Sequence, residues 1–170
     1  MKFKDQVASA AKKANKTLGM IKRNFKCVNK EAFEVLYGTL VRPQLEYAVH
    51  LWSPYQIGLR EKLERTQRRA TKLVRNIKHK SYWLSTLNLM STLDRRDRGD
   101  MIMTYNIINH RVEMDARFMK MNTESRTRGH TKKLKISWSK IEIWRNFFTN
   151  RRTKRYNSLS QEIINSKTKQ

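Results

Sequence analysis

The sequence predicts a mainly α-helical protein, a helical bundle with a short β-hairpin near residues 117–138. Gly and Pro are scarce, with 5 and 2 among 170 residues, which favours long helices over turn-rich sheets. Apolar residues recur at spacings of three and four over several long segments, as in helices with one buried face. Hydrophobic residues make up 38% of the chain, below the globular average of roughly 45–50%, so the expected core is modest.

In the first part of the chain, residues 5–26 have the apolar spacing of a helix. Asn29 is expected to cap the next helix. Pro43 should break or kink that helix, because proline lacks an amide proton and clashes with the preceding turn. Residues 44–52 are expected to be a short buried helix.

Residues 57–78 are the best-patterned helix, in which a stripe of apolar residues runs beside a stripe of basic ones. A helix near 91–110 follows, with Thr92 as its cap. The expected division of the chain is into a helical region at 1–110 and a C-terminal extension at 111–170.

In the C-terminal extension the pattern predicts two short strands, at 118–121 and 134–138. The basic turn 126–130 would join them as the tip of a hairpin. A last helix is expected over 139–156, followed by a polar tail that frays.

The charge of the chain points to a polyanionic partner. Lys and Arg number 38 against 14 Asp and Glu, a formal net charge of +24. A protein that neutralises phosphates releases condensed counterions and gains affinity without reading any base. The alternative is a solvated surface. The expected ligand is therefore nucleic acid, as RNA, RNA–DNA hybrid or DNA, with contacts to its backbone.

The strongest basic feature is the stripe along 57–78, whose charges repeat every three or four residues. A solvated helix more often mixes signs at these spacings, so a counter-anion is indicated, with plain solvation as the alternative. The residues expected to contact nucleic acid are Arg65, Arg68, Arg69, Lys72, Arg75, Lys12, Lys13, Lys16, Lys22, Arg23, Arg126, Arg128 and His130.

Catalytic patterns are missing from the sequence. The scattered glycines cannot form a phosphate-binding loop, and the histidines lack metal-ligand spacing. Asp94, Asp97 and Asp100 could share one helix face, but arginines interleave with them, so ion pairing along the helix is preferred to a metal site. We expect no catalytic residues, no metal and no cofactor. Cys27 is expected to be buried or inert, and as a single cysteine it indicates a reducing compartment.

The tryptophans divide by their surroundings. Trp52 lies in an apolar run and is expected in the core. Trp83 and Trp138 flank basic segments and are candidates for stacking on unpaired bases. No run approaches the roughly 18 apolar residues of a membrane span, so we expect no membrane partner. The single cysteine favours an intracellular location, nuclear or cytoplasmic, and the basic run 151–155 is the basis for the nuclear alternative.

Several blocks of the sequence, in order, resemble the region after the polymerase palm in non-LTR (LINE-like) retrotransposon reverse transcriptases. The resemblance covers nearly the whole chain. The blocks lie at 13–25, 40–48, 52–55, 67–73, 95–102, 126–130, 146–151 and 156–159, and they include Leu40-Val41-Arg42-Pro43-Gln44-Leu45-Glu46-Tyr47-Ala48 and Arg126-Thr127-Arg128-Gly129-His130.

The resemblance implies a helical thumb at 1–110 and an extension at 111–170 that together grip template and primer. It also implies that the fingers, the palm and the catalytic aspartates of the polymerase are missing, so the chain should not act as an RNA-directed DNA polymerase by itself. The alternative is a truncated structural remnant that docks on a polymerase palm encoded elsewhere and has no activity of its own.

Overall fold

A computed structural model of the chain describes residues 3–74, 83–113, 119–123 and 129–166. The described residues are mainly helical, which confirms the predicted fold class. They fall into two compact units, unit 1 at Met1–Arg96 and unit 2 at Asp97–Gln170. This division lies upstream of the boundary that we predicted at residue 110.

Unit 1 begins with the longest helix, α1 at Phe3–Asn24, close to the predicted 5–26. Its buried positions follow the helical period, which turns one apolar face inward. They are Val7, Ala10, Ala11, Ala14, Leu18 and Ile21. The small alanines let the next layer of the protein approach the helix closely, and the basic residues are left at the surface.

The next helical segment consists of two α-helices joined by a π-helical turn. Helix α2 at Lys30–Leu36 is capped as predicted, because the Asn29 side chain accepts a hydrogen bond of 2.9 Å from the Ala32 amide. A π-helical turn at Tyr37–Val41 leads into α3 at Arg42–Glu46, with Pro43 in its first turn. The wider turn ahead of the proline accommodates a residue that cannot donate a backbone hydrogen bond.

The expected helix at 44–52 is wrong in its extent. Helix α3 ends at Glu46, and Ala48 has a φ of 51°, a left-handed conformation that no helix can contain. The Trp52 indole donates a 2.8 Å hydrogen bond to the Tyr47 carbonyl, which closes the segment as a loop. Trp52 itself is buried, as expected, but Leu51 is exposed.

Two further long helices follow the apolar pattern. Helix α4 occupies Ile57–Thr71 in unit 1, and α6 at Thr92–Ile108 begins in unit 1 and continues into unit 2, with the short α5 at Trp83–Thr86 between them. The predicted extent 57–78 is wrong at 72–74, because α4 ends at Thr71 and Val74 forms a bridge with Val28; residues 75–78 lie outside the described residues. The cap of α6 is Ser91, whose hydroxyl accepts from the Asp94 amide at 3.1 Å, and not Thr92.

Helices α1 and α4 pack side by side in the same direction. The Phe3 and Tyr55 rings meet edge to face near the start of both helices, at 6.3 Å. Farther along, Arg69 in the last turn of α4 bonds at 2.9 Å to Asn15 in the middle of α1. A parallel bridge joins Val28 and Val74 just past both ends. The residue numbers rise together across these contacts, so the two helices are parallel and their register is fixed.

Unit 1 has a continuous apolar core beneath these helices. The largest buried apolar side chains come from α2, α3 and α4 and from the loops that join the helices. They include Phe33, Tyr37, Leu45, Trp52, Leu63 and Leu87. Cys27 was expected to be buried or inert; it is exposed, which excludes burial, and its inertness stays a prediction.

Unit 2 has short elements and a smaller core. Helices α7 at Glu142–Arg145, α8 at Phe148–Arg151, α9 at Thr153–Asn157 and α10 at Gln161–Asn165 follow one another. The single helix predicted over 139–156 is therefore wrong, and the tail that was expected to fray contains α10. The core cluster consists of Ile108, Leu134, Tyr156 and Ile164.

The predicted hairpin is reduced to one bridge. Met121 and Leu134 form an antiparallel pair, flanked by the Asn122 amide bonded to the Lys133 carbonyl at 2.7 Å. The described residues form no strand in this region. Residues 124–128 at the expected tip lie outside the described part of the chain.

Candidate nucleic-acid interface

The outward face of α4 is basic because its inward face is fixed by burial. Leu63, Gln67 and Ala70 are buried, so the residues on the opposite side of the helix point to solvent. These are Arg65, Arg68 and Lys72, all of them exposed. Arg65 forms an ion pair of 3.2 Å with Glu61, but both side chains are largely exposed, at 71% and 57%, so water screens the pair.

Helix α1 carries a second basic row. Lys12, Lys16 and Arg23 are exposed, and their spacings of four and seven residues place them along one side of the helix. This side lies opposite the buried face that contains Ala14 and Leu18. The row therefore points to solvent along about 16 Å of helix, at ~1.5 Å per residue.

The structure brings the two rows together on unit 1. The hydrogen bond between Arg69 and Asn15 joins the flanks of α1 and α4 that meet. Because the helices are parallel and Asn15 meets Arg69, Lys12 and Lys16 lie at the level of the last two turns of α4. We call the solvent-facing side of this helix pair the α1–α4 basic face, formed by Lys12, Lys16, Arg23, Arg65, Arg68, Arg69 and Lys72.

Two of the expected contact residues on α1 lie off the centre of this face. Lys13 is one helical turn from Thr17, whose hydroxyl accepts a 2.8 Å bond from Gln44, so Lys13 lies on the flank next to α3. Lys22 is seven residues from Asn15 and shares the flank that meets α4. Both are exposed, but neither is in the outward row.

The expectation of an exposed histidine at a hairpin tip is wrong. His130 is 3% exposed, and its Nε2 lies 3.1 Å from the Tyr156 carbonyl oxygen. Its ring also packs edge to face on the Tyr156 ring, at 5.3 Å. The residue holds unit 2 together and is not available to a ligand. Arg75, Arg126 and Arg128 lie outside the described residues.

A buried polar network fixes the rotation of α4 about its own axis. The Arg95 guanidinium donates to the Gln67 side-chain oxygen at 2.5 Å and to the Tyr37 hydroxyl at 3.0 Å. Arg95 also pairs with Glu46 at 2.6 Å, and Gln67 donates to the Met90 carbonyl at 2.9 Å. The bonds made by Gln67 hold the inward side of α4, so they orient the basic residues on its outward side.

Burial raises the pKa of the Tyr37 hydroxyl in this network, while the positive charge of Arg95 acts in the opposite direction. The tyrosine therefore remains a neutral hydrogen-bonding group at physiological pH.

A second contact joins α4 to the start of α6. Glu64 accepts hydrogen bonds from both the amide and the hydroxyl of Thr92, at 3.0 and 2.5 Å.

Two aspartates of α6 pair with arginines that lie far away in the chain, a set of partners that the sequence did not predict. In unit 2, Asp100 is fully buried and accepts two bonds of 2.7 Å from Arg151. Asp97 pairs with Arg152 and, at 3.2 Å, with Arg155. Two of the interleaved arginines also bond within unit 1, since Arg95 joins the network under α4 and Arg96 donates to the carbonyls of Leu45 and Trp52.

These pairs explain why the predicted helix over 139–156 is broken. In a continuous helix, successive residues point about 100° apart, so Arg151 and Arg152 could not both reach Asp100. The break after α8 lets both side chains bond to it, at 2.7 and 3.3 Å. Three of the four basic residues at 151–155, namely Arg151, Arg152 and Arg155, therefore form ion pairs with the aspartates of α6.

Among the described residues, no cluster of His, Cys, Asp and Glu is arranged to hold a metal ion. No helix in the same part of the chain is long and apolar enough to cross a membrane. The arrangement of cations on unit 1 can attract and hold phosphates, and it offers no group positioned for a reaction.

The sequence pattern identified most of the basic face but missed what assembles it. Asn15 gave no signal, because a polar residue on a helix flank is ordinary. Comparison with known proteins finds no matching family model and no curated protein or solved structure with significant similarity. The resemblance to non-LTR reverse transcriptases therefore stays a prediction.

Proposed function

We propose that this chain binds nucleic acid by holding the phosphate backbone against the α1–α4 basic face. The observation that carries the proposal is the fixed parallel register of α1 and α4, which places two rows of exposed cations next to each other. Like charges at spacings of three and four repel along a helix. Bound phosphates would relieve that repulsion and release their counterions.

The dimensions of the face suit one strand of a helical nucleic acid. The row from Lys12 to Arg23 extends about 16 Å at ~1.5 Å per residue, and phosphates of one strand advance about 3.4 Å along a duplex axis. The row can therefore follow about five phosphates. Contacts of this kind fix position and orientation but read no sequence.

The proposed context is the region after the palm of a retrotransposon reverse transcriptase. In such a polymerase a helical thumb would grip the template–primer hybrid, and the chain would need a palm supplied by another part of the protein or by another chain. The support for this context is the ordered set of sequence blocks and the mainly helical fold of unit 1. Phosphate binding by the basic face does not depend on it.

The test is a titration of the purified chain with an RNA–DNA hybrid at several salt concentrations. Changing Arg65, Arg68, Arg69 and Lys72 to Gln should weaken binding for all sequences alike. The slope of log affinity against log salt should fall by about 0.7–0.9 for each lost contact. A matched control changes Lys30, Arg98, Arg111 and Lys154 to Gln, which removes the same charge from exposed positions outside the basic face.

If the basic face binds phosphates, the control variant keeps nearly the full slope and the first variant does not. Equal losses in both variants would mean that net charge alone drives the interaction, and the proposal would be wrong. Circular dichroism of each variant verifies that its helices are intact.

A second candidate function, docking onto a polymerase palm, is favoured by an apolar surface on unit 1. Tyr47, Leu51 and Ile57 lie in and after the loop that follows α3, and they are 78%, 63% and 74% exposed. Exposed apolar side chains that cluster in this way are typical of interaction sites. A thermal melt tests the idea that the chain needs a partner to fold, because a cooperative transition would contradict it.

We also propose an intracellular location, nuclear or cytoplasmic, because the ligand is a nucleic acid. The basic run at 151–155 is a weak nuclear signal, since Arg151 and Arg152 are engaged by aspartates. Imaging of the tagged chain would test the location. Accumulation outside the cell would contradict it.

A further inference from the structure

Unit 2 exposes an unusual set of aromatic and aliphatic side chains between Leu134 and Phe148. Trp138 is 80% exposed and Trp144 is 52% exposed. Folded proteins rarely leave two tryptophans so close in sequence in contact with water. The isoleucines of the segment, Ile136, Ile141 and Ile143, are exposed as well.

Cations interleave with these apolar residues. Lys135, Lys140 and Arg145 are all exposed, against the single acidic residue Glu142 in the same segment. An interface with another protein would have to desolvate several of these charges, and the centres of such interfaces are depleted in lysine. Alternating aromatic and basic side chains are instead the composition of sites that bind single-stranded nucleic acid.

A polar cleft of about 220 Å³ is lined by residues that precede Trp138 and follow Trp144 in the chain. Its lining includes Lys120 and Lys135, with Ser137 and Thr149 as hydroxyl donors. The two lysines are held on neighbouring segments, because the Lys135 amide donates to the Lys120 carbonyl at 2.9 Å. Ammonium and hydroxyl groups together are suited to a phosphate.

Each tryptophan is connected to a residue that lines this cleft. Trp138 directly follows the cleft residue Ser137, and the backbone carbonyl of Trp144 accepts a 2.9 Å bond from the side chain of the cleft residue Asn150. The Trp144 ring also packs against the Phe147 ring at 5.5 Å, which restrains it. Aromatic surface and phosphate-binding groups thus occur at one place in unit 2.

From this arrangement we infer that unit 2 carries a second nucleic-acid site, in which unpaired bases stack on Trp138 and Trp144 while the neighbouring cleft holds a backbone phosphate. The site differs in chemistry from the α1–α4 basic face, since it requires bases that are free of a duplex. It rests on the proposed function only for the class of ligand. Single-stranded RNA and single-stranded DNA both present the required groups.

The test compares three ligands of ten nucleotides on the full chain by fluorescence anisotropy. They are oligo(dT), oligo(rU) and an abasic strand with the same number of phosphates. Stacking should make the chain bind at least one base-containing strand more tightly than the abasic one. The preference should be about fivefold or more, since one stacked base contributes roughly a five- to hundredfold change in affinity.

Variants of Trp138 separate stacking from simple apolar contact. Trp138→Leu keeps an apolar side chain but removes the aromatic face, and it should lose about fivefold or more on oligo(dT) or oligo(rU). Trp138→Phe keeps an aromatic face and should lose much less. Neither change should alter binding of the abasic strand. Because Trp138 is 80% exposed, both variants should fold like the original chain.

Three outcomes would overturn the inference: equal affinity for abasic and base-containing strands, equal effects of Leu and Phe at position 138, or the same loss on the abasic strand. The third would indicate that Trp138 contributes to backbone contact or to the fold and not to stacking on bases. The variant in which Arg65, Arg68, Arg69 and Lys72 are changed to Gln distinguishes the stacking site from the proposed binding at the α1–α4 basic face. If it binds normally while Trp138→Leu loses base-dependent affinity, the α1–α4 proposal fails and the stacking site stands.

Discussion

Replacing Asp100 by Asn should be among the most damaging single changes in unit 2. The Asp100 carboxylate is 0% exposed, and it accepts bonds from Arg151 at both of its oxygens and from Arg152 at one. The Arg151 side chain is only 9% exposed. Removing the negative charge would leave a buried guanidinium without its carboxylate, and breaking a buried pair in this way costs about 3–5 kcal/mol.

That loss is large relative to the stability of the unit. Unit 2 spans Asp97–Gln170, and at ~0.05–0.15 kcal/mol per residue a unit of this length is stabilised by about 4–11 kcal/mol. The Asp100→Asn variant should therefore have a unit 2 that is close to unfolding at room temperature. The helices of unit 1 should keep their stability, because their core is made by other residues.

Hydrogen exchange measured by mass spectrometry can separate the two units. Peptides that cover α8 and α9 should lose protection in Asp100→Asn, while peptides from α1 should not. The matched control is Glu61→Gln, which breaks an ion pair with side chains 57% and 71% exposed and should cost less than about 1 kcal/mol. If Asp100→Asn changes protection as little as the control does, the aspartate–arginine network does not stabilise unit 2 as described.

The other predictions concern buried polar groups. Changing Gln67 to Met should lower the free energy of unfolding of unit 1 by about 1–3 kcal/mol in urea titration, because Arg95 and the Met90 carbonyl lose their buried partner; an unchanged midpoint would contradict the network. Tyr156→Phe should preserve or raise the stability of unit 2, since the buried hydroxyl has no partner among the described residues, and a destabilised variant would show otherwise. Burial raises the pKa of Tyr156 to about 12 against about 10 in the unfolded chain, so its contribution to stability is complete below pH 10 and is lost as pH rises to 12. Tyr156→Phe should flatten that decline in an alkaline unfolding series, and an identical decline would rule out this residue as its source.

The sequence predicted the helical elements best where one periodic apolar face decides the structure. The first helix and the Asn29 cap follow from local chemistry, and both are present; at Pro43 the predicted interruption takes the form of a π-helical turn just before the proline. The prediction over 139–156 failed because helical propensity is weak there compared with the pairing of Arg151 and Arg152 with distant aspartates. Similarly, the loop after α3 is closed by the Trp52 indole, a contact that local propensity does not reveal.

By itself, the sequence determined that this protein is mainly helical, strongly cationic and without a catalytic pattern, because composition and periodicity express those properties directly. It also identified most of the cations now found on the α1–α4 basic face. Only the tertiary structure decided which cations are exposed side by side and which form ion pairs or hydrogen bonds inside the protein. His130 and Arg151 look as available in the sequence as Arg65 does. The difference comes from burial and from carboxylates far away in the chain, and those depend on how the helices pack.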